Sequence, residues 1–249
     1  MEKFNEKIVV ITGGSAGIGL ATAHHFILEG ARVVISGRNQ DALDIAVDAL
    51  GERAMGVQGN VANLKDLDNL FARIKDQFGR IDVLFANAGI APFVAVDAVT
   101  EEHFDSLFAI NVRGLFFTVQ KSLFLLPDGA AVILNASVVA QSGMPNTSVY
   151  SATKAAVRSL GRTLAAELSP RGIRVNVVSP GLIQTSLWDK VGLSQKEVAA
   201  FGEQAIQQTP LGRAGRADEI ATTVAFLASE DASYFTGAEL VPDGGMIQV

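Results

Sequence analysis

The chain has 249 residues, of which 49% are hydrophobic and 18% charged, a balance that indicates a large buried core and excludes an intrinsically disordered protein. The formal net charge of -6 disfavours nucleic-acid binding, and the absence of cysteine excludes disulfides and thiolate metal sites. No apolar stretch approaches the roughly 20 residues that span a bilayer, and Met1 leads directly into charged residues, so we expect a cytoplasmic protein with no membrane partner.

Short apolar runs bounded by Gly, Asn or Ser recur along the chain and predict buried strands. They lie at residues 8–11, 33–35, 81–86, 131–134, 175–178 and 239–241. Longer segments between them carry apolar residues at helical spacing, such as the one from Leu64 to Phe78, which is followed by Gly79 as a helix stop. This alternation predicts a Rossmann-like, doubly wound parallel α/β sheet with helices on both faces, in a single domain over residues 1–249.

The first strand is followed by a glycine-rich turn and the start of a helix. Residues 12–19 read TGGSAGIG. Glycine lets the backbone approach a pyrophosphate while the free N–H groups of the helix start face it, so this turn predicts a dinucleotide site. The alternative is a tight turn with a close strand-to-helix contact, and the spacing of Gly13, Gly17 and Gly19 differs from the common G-x-G-x-x-G pattern.

Polar residues follow two later strands or interrupt a helical pattern. Ser137 comes just after the strand at 131–134, Asn87-Ala88-Gly89 closes the strand at 81–86, and Asn111 lies within a helical pattern, where a buried amide needs partners. Each of these residues alone is equally explained as a turn residue or a structural amide.

Tyr150 and Lys154 are four residues apart in a segment of helical periodicity, so they lie on one helix face, one turn apart. A phenol beside an ammonium is a candidate general acid/base, because the ammonium favours the phenolate and is expected to lower the phenol pKa from about 10 toward 7, with help from a cationic cofactor ring. The alternative is a half-buried Tyr beside a Lys that faces solvent.

Together and in this order, these motifs resemble the short-chain dehydrogenase/reductase family over essentially the whole chain. Pro180-Gly181 with Thr185 and the late Asp243-Gly244-Gly245 also match. The resemblance implies nicotinamide binding near Thr185 and frequently a homotetramer. It also implies a catalytic tetrad of Asn111, Ser137, Tyr150 and Lys154. The phenylalanines at 104, 108, 116 and 117 are then core or subunit interface.

Two positions depart from the family pattern. The family usually has Asp-Val where this chain has Asn60-Val61, and often a further Asn where it has Ala86. Asn60 can still hydrogen-bond an adenine edge, although the amide changes the balance of donors and acceptors. The cofactor-binding residues that the resemblance implies are Gly13, Ser15, Gly17, Ile18, Gly19, Ser36, Arg38, Asn60, Val61, Asn87, Ala88, Gly89, Tyr150, Lys154, Pro180, Gly181, Ile183 and Thr185.

The end of the second strand predicts a preference for NADP(H), with NAD(H) as the alternative cofactor. NAD sites carry an acid about 20 residues after the glycines, whereas this chain reads Ser36-Gly37-Arg38-Asn39 there. Arg38 could clamp a 2′-phosphate through its planar fork and Ser36 could add a hydroxyl. Alternatively, Arg38 stacks on the adenine and serves either cofactor.

The substrate is expected to be a small or medium hydrophobic ketone, possibly aryl, interconverted with its secondary alcohol. Residues 183–209 interrupt the alternation just after a strand and predict a lid over the substrate. The resemblance places the pocket among Phe93, Val138, Val139, Met144, Leu182, Leu187 and Trp188, all apolar. The alternatives are a 3-oxoacyl chain on acyl carrier protein and a catalytically silent, nucleotide-sensing protein on the same fold. The three histidines form no metal-ligand motif.

Overall fold

The computed structural model describes residues 3–188 and 191–249. Within these residues, parallel strands pair in the order β3-β2-β1-β4-β5-β6-β9, and a separate short pair joins β7 to β8. The strands are β1 (Ile8–Thr12), β2 (Arg32–Gly37), β3 (Ala54–Gln58), β4 (Val83–Ala86), β5 (Ala131–Asn135), β6 (Arg174–Val178), β7 (Ile183–Gln184), β8 (Gly215–Arg216) and β9 (Glu239–Leu240). The predicted doubly wound parallel α/β fold is confirmed.

Helices cover both faces of this sheet. They are α1 (Gly17–Leu28), α2 (Gln40–Leu50), α3 (Leu64–Phe78), α4 (Glu101–Phe108), α5 (Leu115–Ser122), α6 (Ser148–Leu168), α7 (Gln195–Gln208) and α8 (Ala217–Ala228), with a π-helical stretch at Ala109–Gly114 between α4 and α5. One apolar layer packs Phe71 and Ile74 of α3 beneath the sheet, and the other packs Phe26 of α1 against the opposite face. Every one of these three side chains is at most 1% exposed.

Local sequence explains where the helices begin and end. In α3, the Asn63 side chain accepts a hydrogen bond from the Lys65 N–H at 3.1 Å, and Gly79 closes the helix in the left-handed conformation with φ 72°. The helix predicted from Leu64 to Phe78 is therefore confirmed at both ends.

The structure extends four predicted strands at their ends, to Ile8–Thr12, Arg32–Gly37, Ala131–Asn135 and Arg174–Val178, and adds the short strands β7 and β8, which were not predicted. Three further differences have a visible cause or position. β4 begins at Val83 rather than at residue 81, because the Ile81 N–H bonds to the carbonyl of Leu125 instead of to a strand. β9 ends at Leu240 rather than 241. The sequence analysis missed β3 altogether, since this edge strand contains Gly56 and only Val57 in it is fully buried.

The chain reverses its direction of winding between β1 and β4, so their carboxyl ends open a crevice at this switch point. The predicted lid region, 183–209, starts with β7 and contains α7, whose first turn is fixed by a capping box between Ser194 and Glu197; its residues 189–190 lie outside the described residues. Both features border the same crevice.

Candidate active site

The glycine-rich turn faces the crevice at the carboxyl end of β1. Gly13 and Gly17 have positive φ angles, 67° and 53°, which glycine adopts without strain. A side chain at Gly19 would collide with the Gly13 carbonyl oxygen. The close strand-to-helix contact considered from the sequence is therefore present, and the same turn also leaves Ser15 and Ile18 lining a cavity.

Hydrogen bonds fix the ends of three neighbouring strands to one another. The N–H groups of Asn87 and Ala88 both donate to the Thr12 hydroxyl at 3.1 Å, and the Asn87 amide donates to the Thr12 carbonyl at 2.9 Å. The Asn135 amide in turn donates to Asn87 Oδ1 at 2.8 Å. The ends of β1, β4 and β5 therefore form one rigid floor under the cavity.

Asn111 lies behind this floor in the π-helical stretch and is 1% exposed. Its Oδ1 accepts from the Ile90 N–H at 2.9 Å, and its Nδ2 donates to the Ile90 carbonyl at 2.9 Å and to the Thr153 hydroxyl at 3.1 Å. The amide thus ties the segment after β4 to the helix α6. Asn111 is not among the residues that line the cavity, so in this geometry it supports the site through these hydrogen bonds.

Tyr150 and Lys154 occupy the first two turns of α6, as the sequence predicted. Lys154 is only 5% exposed, which contradicts the alternative of a Lys that faces solvent. Its Nζ lies 5.7 Å from the centroid of the Tyr150 ring and donates to the Asn135 carbonyl at 2.8 Å. An ammonium can donate three hydrogen bonds, and the carbonyl of Asn135 accepts one of them. Because Lys154 lines the cavity together with Tyr150, its other N–H groups can donate to a ligand there.

Burial controls the protonation of this pair. It raises the pKa of Tyr150 to about 12, an effect that the Ser137 hydroxyl partly offsets, and it lowers the pKa of Lys154 to about 8. Desolvation of the phenolate therefore dominates in this geometry, and the lowering expected from the ammonium together with a cationic cofactor ring stays a prediction. At neutral pH the phenol is protonated.

Ser137 follows β5 and starts a short 3-10 helix, Val138–Ala140, with an extended backbone at φ -174°. Its hydroxyl accepts from the Val139 N–H at 3.4 Å and lies close enough to the Tyr150 phenol to lower its pKa. Ser137 and Tyr150 therefore present two hydroxyls to the same point of the cavity.

The cavity, of about 560 Å³, runs along the carboxyl edge of the sheet from Arg38 past the glycine-rich turn to the segment after β7. Most of the predicted cofactor residues and all of the predicted substrate residues line it. The cofactor residues are Gly13, Ser15, Gly17, Ile18, Gly19, Arg38, Asn87, Ala88, Gly89, Tyr150, Lys154, Pro180, Gly181, Ile183 and Thr185. The substrate residues are Phe93, Val138, Val139, Met144, Leu182, Leu187 and Trp188.

Three predicted cofactor residues are not part of the lining. Ser36 is 4% exposed and sits in register between Thr12 of β1 and Val57 of β3. Val61 is 8% exposed, and the Asn60 side chain accepts from the Ala62 N–H at 3.1 Å within a turn. The predicted contacts of these three residues with a cofactor stay predictions.

Comparison with known proteins places this site in a family. The enoyl-(acyl carrier protein) reductase family model matches residues 13–247. The oxidoreductase asL5 of Sarocladium schorii is 41% identical over 251 residues, covering 100% of this chain and 99% of the relative. A crystal structure from Brucella melitensis, described as a short-chain dehydrogenase/reductase and glucose/ribitol dehydrogenase, is 31% identical with a TM-score of 0.93 and 99% coverage of each chain. That of levodione reductase is 33% identical with a TM-score of 0.92 and covers 97% of this chain and 98% of the other.

This chain is a short-chain dehydrogenase/reductase. The resemblance drawn from its motifs is confirmed, and with it the oxidoreductase class. The two departures from the family pattern, at Asn60 and Ala86, leave the contacts of Tyr150 and Lys154 untouched.

This short-chain dehydrogenase/reductase has pocket residues that the sequence analysis missed. The ring of Phe201 in α7 lies 5.8 Å from that of Phe93 and 5.3 Å from that of Trp188, which forms an aromatic wall. Met246 reaches the cavity because the Asp243 carboxylate accepts from the Gly245 and Ile247 N–H groups, each at 2.8 Å, and curls the C-terminal segment back. The other missed lining residues are Ala16, Ile90, Ala91, Pro92, Asn135, Ala136, Ser186, Val191 and Ala205.

Four of the missed residues had a signal in the sequence, since Ser186, Val191, Phe201 and Ala205 lie in the segment that the lid prediction covered. In the described ranges, 3–188 and 191–249, no group of three or more His, Asp or Glu side chains is arranged to hold a metal ion. Over the same ranges, no helix has the length and apolar character needed to cross a membrane.

Proposed function

We propose that this protein is an NAD(P)H-dependent oxidoreductase that interconverts a small or medium hydrophobic ketone and its secondary alcohol. The observation that carries the proposal is that a half-buried Tyr150 and a buried Lys154 lie together beside Ser137 at one end of a cavity whose other end is the glycine-rich turn. A proton donor at the end of a dinucleotide-sized groove is what carbonyl reduction needs.

The residues of the groove fit a nicotinamide dinucleotide. The backbone of Gly13 and Gly17 approaches the cavity without side chains, and a Cβ at Gly89 would lie 3.2 Å from Asn111 Oδ1 and 3.7 Å from Lys154 Nζ. The N-terminal end of α1 would hold the pyrophosphate, and Lys154 and Asn87, which line the cavity, would hold the nicotinamide half. When bound, the cofactor supplies the hydride in reduction and accepts it in oxidation.

The chain itself handles the proton. Tyr150 is protonated at neutral pH because burial raises its pKa to about 12, so its hydroxyl can donate to the oxygen of a ketone as negative charge develops there. Ser137 donates a hydrogen bond to the same oxygen and stabilises that charge. The Lys154 ammonium lies one turn away and stabilises the phenolate that remains.

The apolar lining favours a hydrophobic ketone. Phe93, Trp188 and Phe201 form the aromatic wall, and Val138, Val139, Met144 and Met246 provide aliphatic and thioether surface. Levodione reductase is named for a ketone substrate, whereas the glucose/ribitol dehydrogenase is named for polyhydroxylated ones. An apolar wall leaves polyol hydroxyls without partners, so we place ketones first.

Arg38 supports a preference for NADP(H). It lines the cavity beside Ser15, and the neighbouring Gly37 offers no carboxylate to a ribose 2′-hydroxyl. The Ser36 hydroxyl is buried and is not counted among the phosphate contacts.

A two-fold interface between copies, one of the two that a homotetramer needs, is supported by an open apolar surface away from the active site. A concavity of about 520 Å³ is lined by Phe108, Val112, Phe116 and Leu160, with Asp105 and Arg113 carrying opposite charges in it. Opposite charges within one patch allow two copies to pair through a two-fold axis. Sedimentation of the wild type and of Val112→Glu tests this, with a smaller particle expected for the variant.

The test of the function is a substrate panel with both cofactors. It includes aliphatic and aryl ketones, polyols and 3-oxoacyl chains on acyl carrier protein, and the loss of reduced cofactor or its formation is followed. We expect the highest kcat/KM on hydrophobic ketones. Efficient reduction of carrier-bound substrates alone would favour the acyl carrier alternative, and tight NADPH binding without any turnover would favour a nucleotide-sensing protein.

A further inference from the structure

Glu239 lies at the start of β9, a two-residue strand at the edge of the sheet that pairs only with β6. Its carboxylate accepts hydrogen bonds from three side chains. Arg158 Nε donates to Oε2 at 2.6 Å, Gln141 Nε2 donates to Oε2 at 2.8 Å, and the Ser179 hydroxyl donates to Oε1 at 2.5 Å. The side chains of Arg158 and Glu239 are 15% and 9% exposed, so the pair is largely removed from water.

Each of these three donors belongs to a segment that carries part of the proposed chemistry. Gln141 directly follows the short helix that begins after Ser137. Ser179 directly precedes Pro180 and Gly181, which line the cavity. No two of the donors share a helix or a strand.

Arg158 belongs to the helix of the proton donor. It lies in α6 at four residues beyond Lys154 and eight beyond Tyr150, on the same helix face. One carboxylate therefore holds the segments of Ser137 and Gly181 and the helix of Tyr150 at fixed distances from one another.

We propose that Glu239 is a positioning residue for the reaction, because its carboxylate joins the three segments that carry the proton donor, the hydroxyl beside it and the loop at Pro180 and Gly181. This inference rests on the proposed function. Catalysis by oriented groups is sensitive to displacements of about 1 Å, so loosening these segments lowers turnover more than it lowers cofactor binding. The glycine-rich turn, which is fixed by Thr12 and Asn87, is untouched.

The main variant is Glu239→Gln, which keeps the size of the side chain and removes its charge and one acceptor oxygen. We expect kcat on the best ketone to fall about 10-fold, with the NADPH dissociation constant changed less than about threefold. Binding is read from quenching of Trp188, the single tryptophan of the chain, which lines the cavity.

Asp82→Asn is the matched control. The Asp82 side chain is 11% exposed and lies where the central strands β1 and β4 begin. It accepts from the Ile8 N–H at 2.8 Å and from Arg80 Nε at 3.1 Å. We expect this variant to lower the melting temperature and leave kcat of the folded protein unchanged. Equal losses of kcat in Asp82→Asn and Glu239→Gln would mean that Glu239 is only structural and would overturn the proposal.

Gln141→Ala removes the hydrogen bond from Gln141 to Glu239, here called the tether, and changes only an exposed residue. This variant tests the proposal if Glu239→Gln does not fold. We expect a loss of kcat of about threefold alone and no further loss when combined with Glu239→Ala, which removes both acceptor oxygens and so breaks the tether by itself. A kcat equal to wild type in Gln141→Ala, or independent losses that multiply in the double variant, would contradict the proposal.

Hydrogen exchange supplies a readout that needs no substrate. In Glu239→Gln, or in Gln141→Ala if the first variant does not fold, peptides covering 137–141 should exchange faster while peptides covering 13–19 stay unchanged. Unchanged exchange at 137–141 would refute the positioning role even if no ketone were turned over. If the faster exchange is seen but wild type reduces no ketone, the proposed function fails and the tether itself stands.

Discussion

Asp82 lies at the amino edge of the sheet, where the strands begin, and Lys154 lies at the carboxyl edge, where the strands end. Both are largely buried charges, but their surroundings differ. Asp82 accepts two hydrogen bonds and lies 3.6 Å from the Lys7 ammonium. In the described part of the chain, Lys154 has a single carbonyl at 2.8 Å and no carboxylate within ion-pair distance. The first charge is compensated by protein and serves stability, whereas the second is left to a ligand at a cost in stability.

The largest effect expected from this comparison is that of Tyr150→Phe, which removes only the hydroxyl of the proposed proton donor at the carboxyl edge. We expect turnover to fall about 10²–10⁴-fold. The NADPH dissociation constant, measured by quenching of Trp188, should stay within about threefold of wild type, because the phenyl ring remains in place. Turnover within tenfold of wild type would show that another group donates the proton.

Lys154→Met should lower turnover and, unlike most changes in a buried site, raise stability. The folded-state pKa of Lys154 is about 8, below its ordinary value of 10.5, so the folded state holds the proton less tightly than the unfolded state does. At pH 7 the wild type therefore bears the cost of a buried ammonium, and the variant gains on the order of 2 kcal/mol in free energy of unfolding.

This gain has a defined pH dependence. As the pH rises from 8 toward 10.5, the folded protein has already lost the Lys154 proton while the unfolded chain still holds it, so the wild type becomes more stable relative to the variant. Denaturant melts at pH 7 and at pH 10 measure the difference. A variant that is less stable than wild type at pH 7 would mean that the hydrogen bond to Asn135 outweighs the desolvation of the ammonium.

Arg38→Ala should discriminate between cofactors at the far end of the same cavity. Losing a charge-assisted contact to a 2′-phosphate should lower kcat/KM for NADPH about 10- to 100-fold and leave that for NADH within about threefold. Gly37→Asp should shift the ratio toward NADH, with Gly37→Asn as the control of equal size. A Cβ at Gly37 lies 3.2 Å from Ser15 Oγ, so both variants displace the same hydroxyl. Equal losses with both cofactors in Arg38→Ala would indicate stacking on the adenine.

The smallest effect on turnover is expected at the amino edge. Asp82→Asn should lower the free energy of unfolding by about 2 kcal/mol, because it weakens the hydrogen bonds that close this edge. Its kcat at a temperature where it is folded should equal that of wild type. A loss of kcat would mean that the two edges are coupled through the sheet.

Local sequence patterns predicted the fold and most of the residues that line the site. Alternating apolar runs and helical spacing predicted most of the sheet, and the spacing of Tyr150 and Lys154 predicted their shared face. Sequence reasoning missed β3 because an edge strand with Gly56 lacks a continuous apolar signal. It did not predict the desolvation that raises the Tyr150 pKa, because a helix face shows which charge is near but not how far both groups are from water.

Other features could not be predicted because they depend on contacts between distant segments. Glu239 accepts hydrogen bonds from Gln141, 98 residues away in the sequence, and from Ser179, 60 residues away. No local sequence pattern predicts either contact. Met246 enters the cavity only because the carboxylate of Asp243 turns the last residues back toward the sheet.

The central claim is that a nicotinamide cofactor bound in the cavity at the carboxyl edge transfers a hydride to a ketone while Tyr150 supplies the proton. The most direct measurement uses NADPH fully deuterated at its reactive ring carbon, with the best hydrophobic ketone and with wild type and Tyr150→Phe side by side. The account predicts that wild type yields an alcohol with one deuterium on the carbinol carbon and that the variant yields almost none in the same time. An alcohol without deuterium, or a comparable rate of labelled product from Tyr150→Phe, would contradict it.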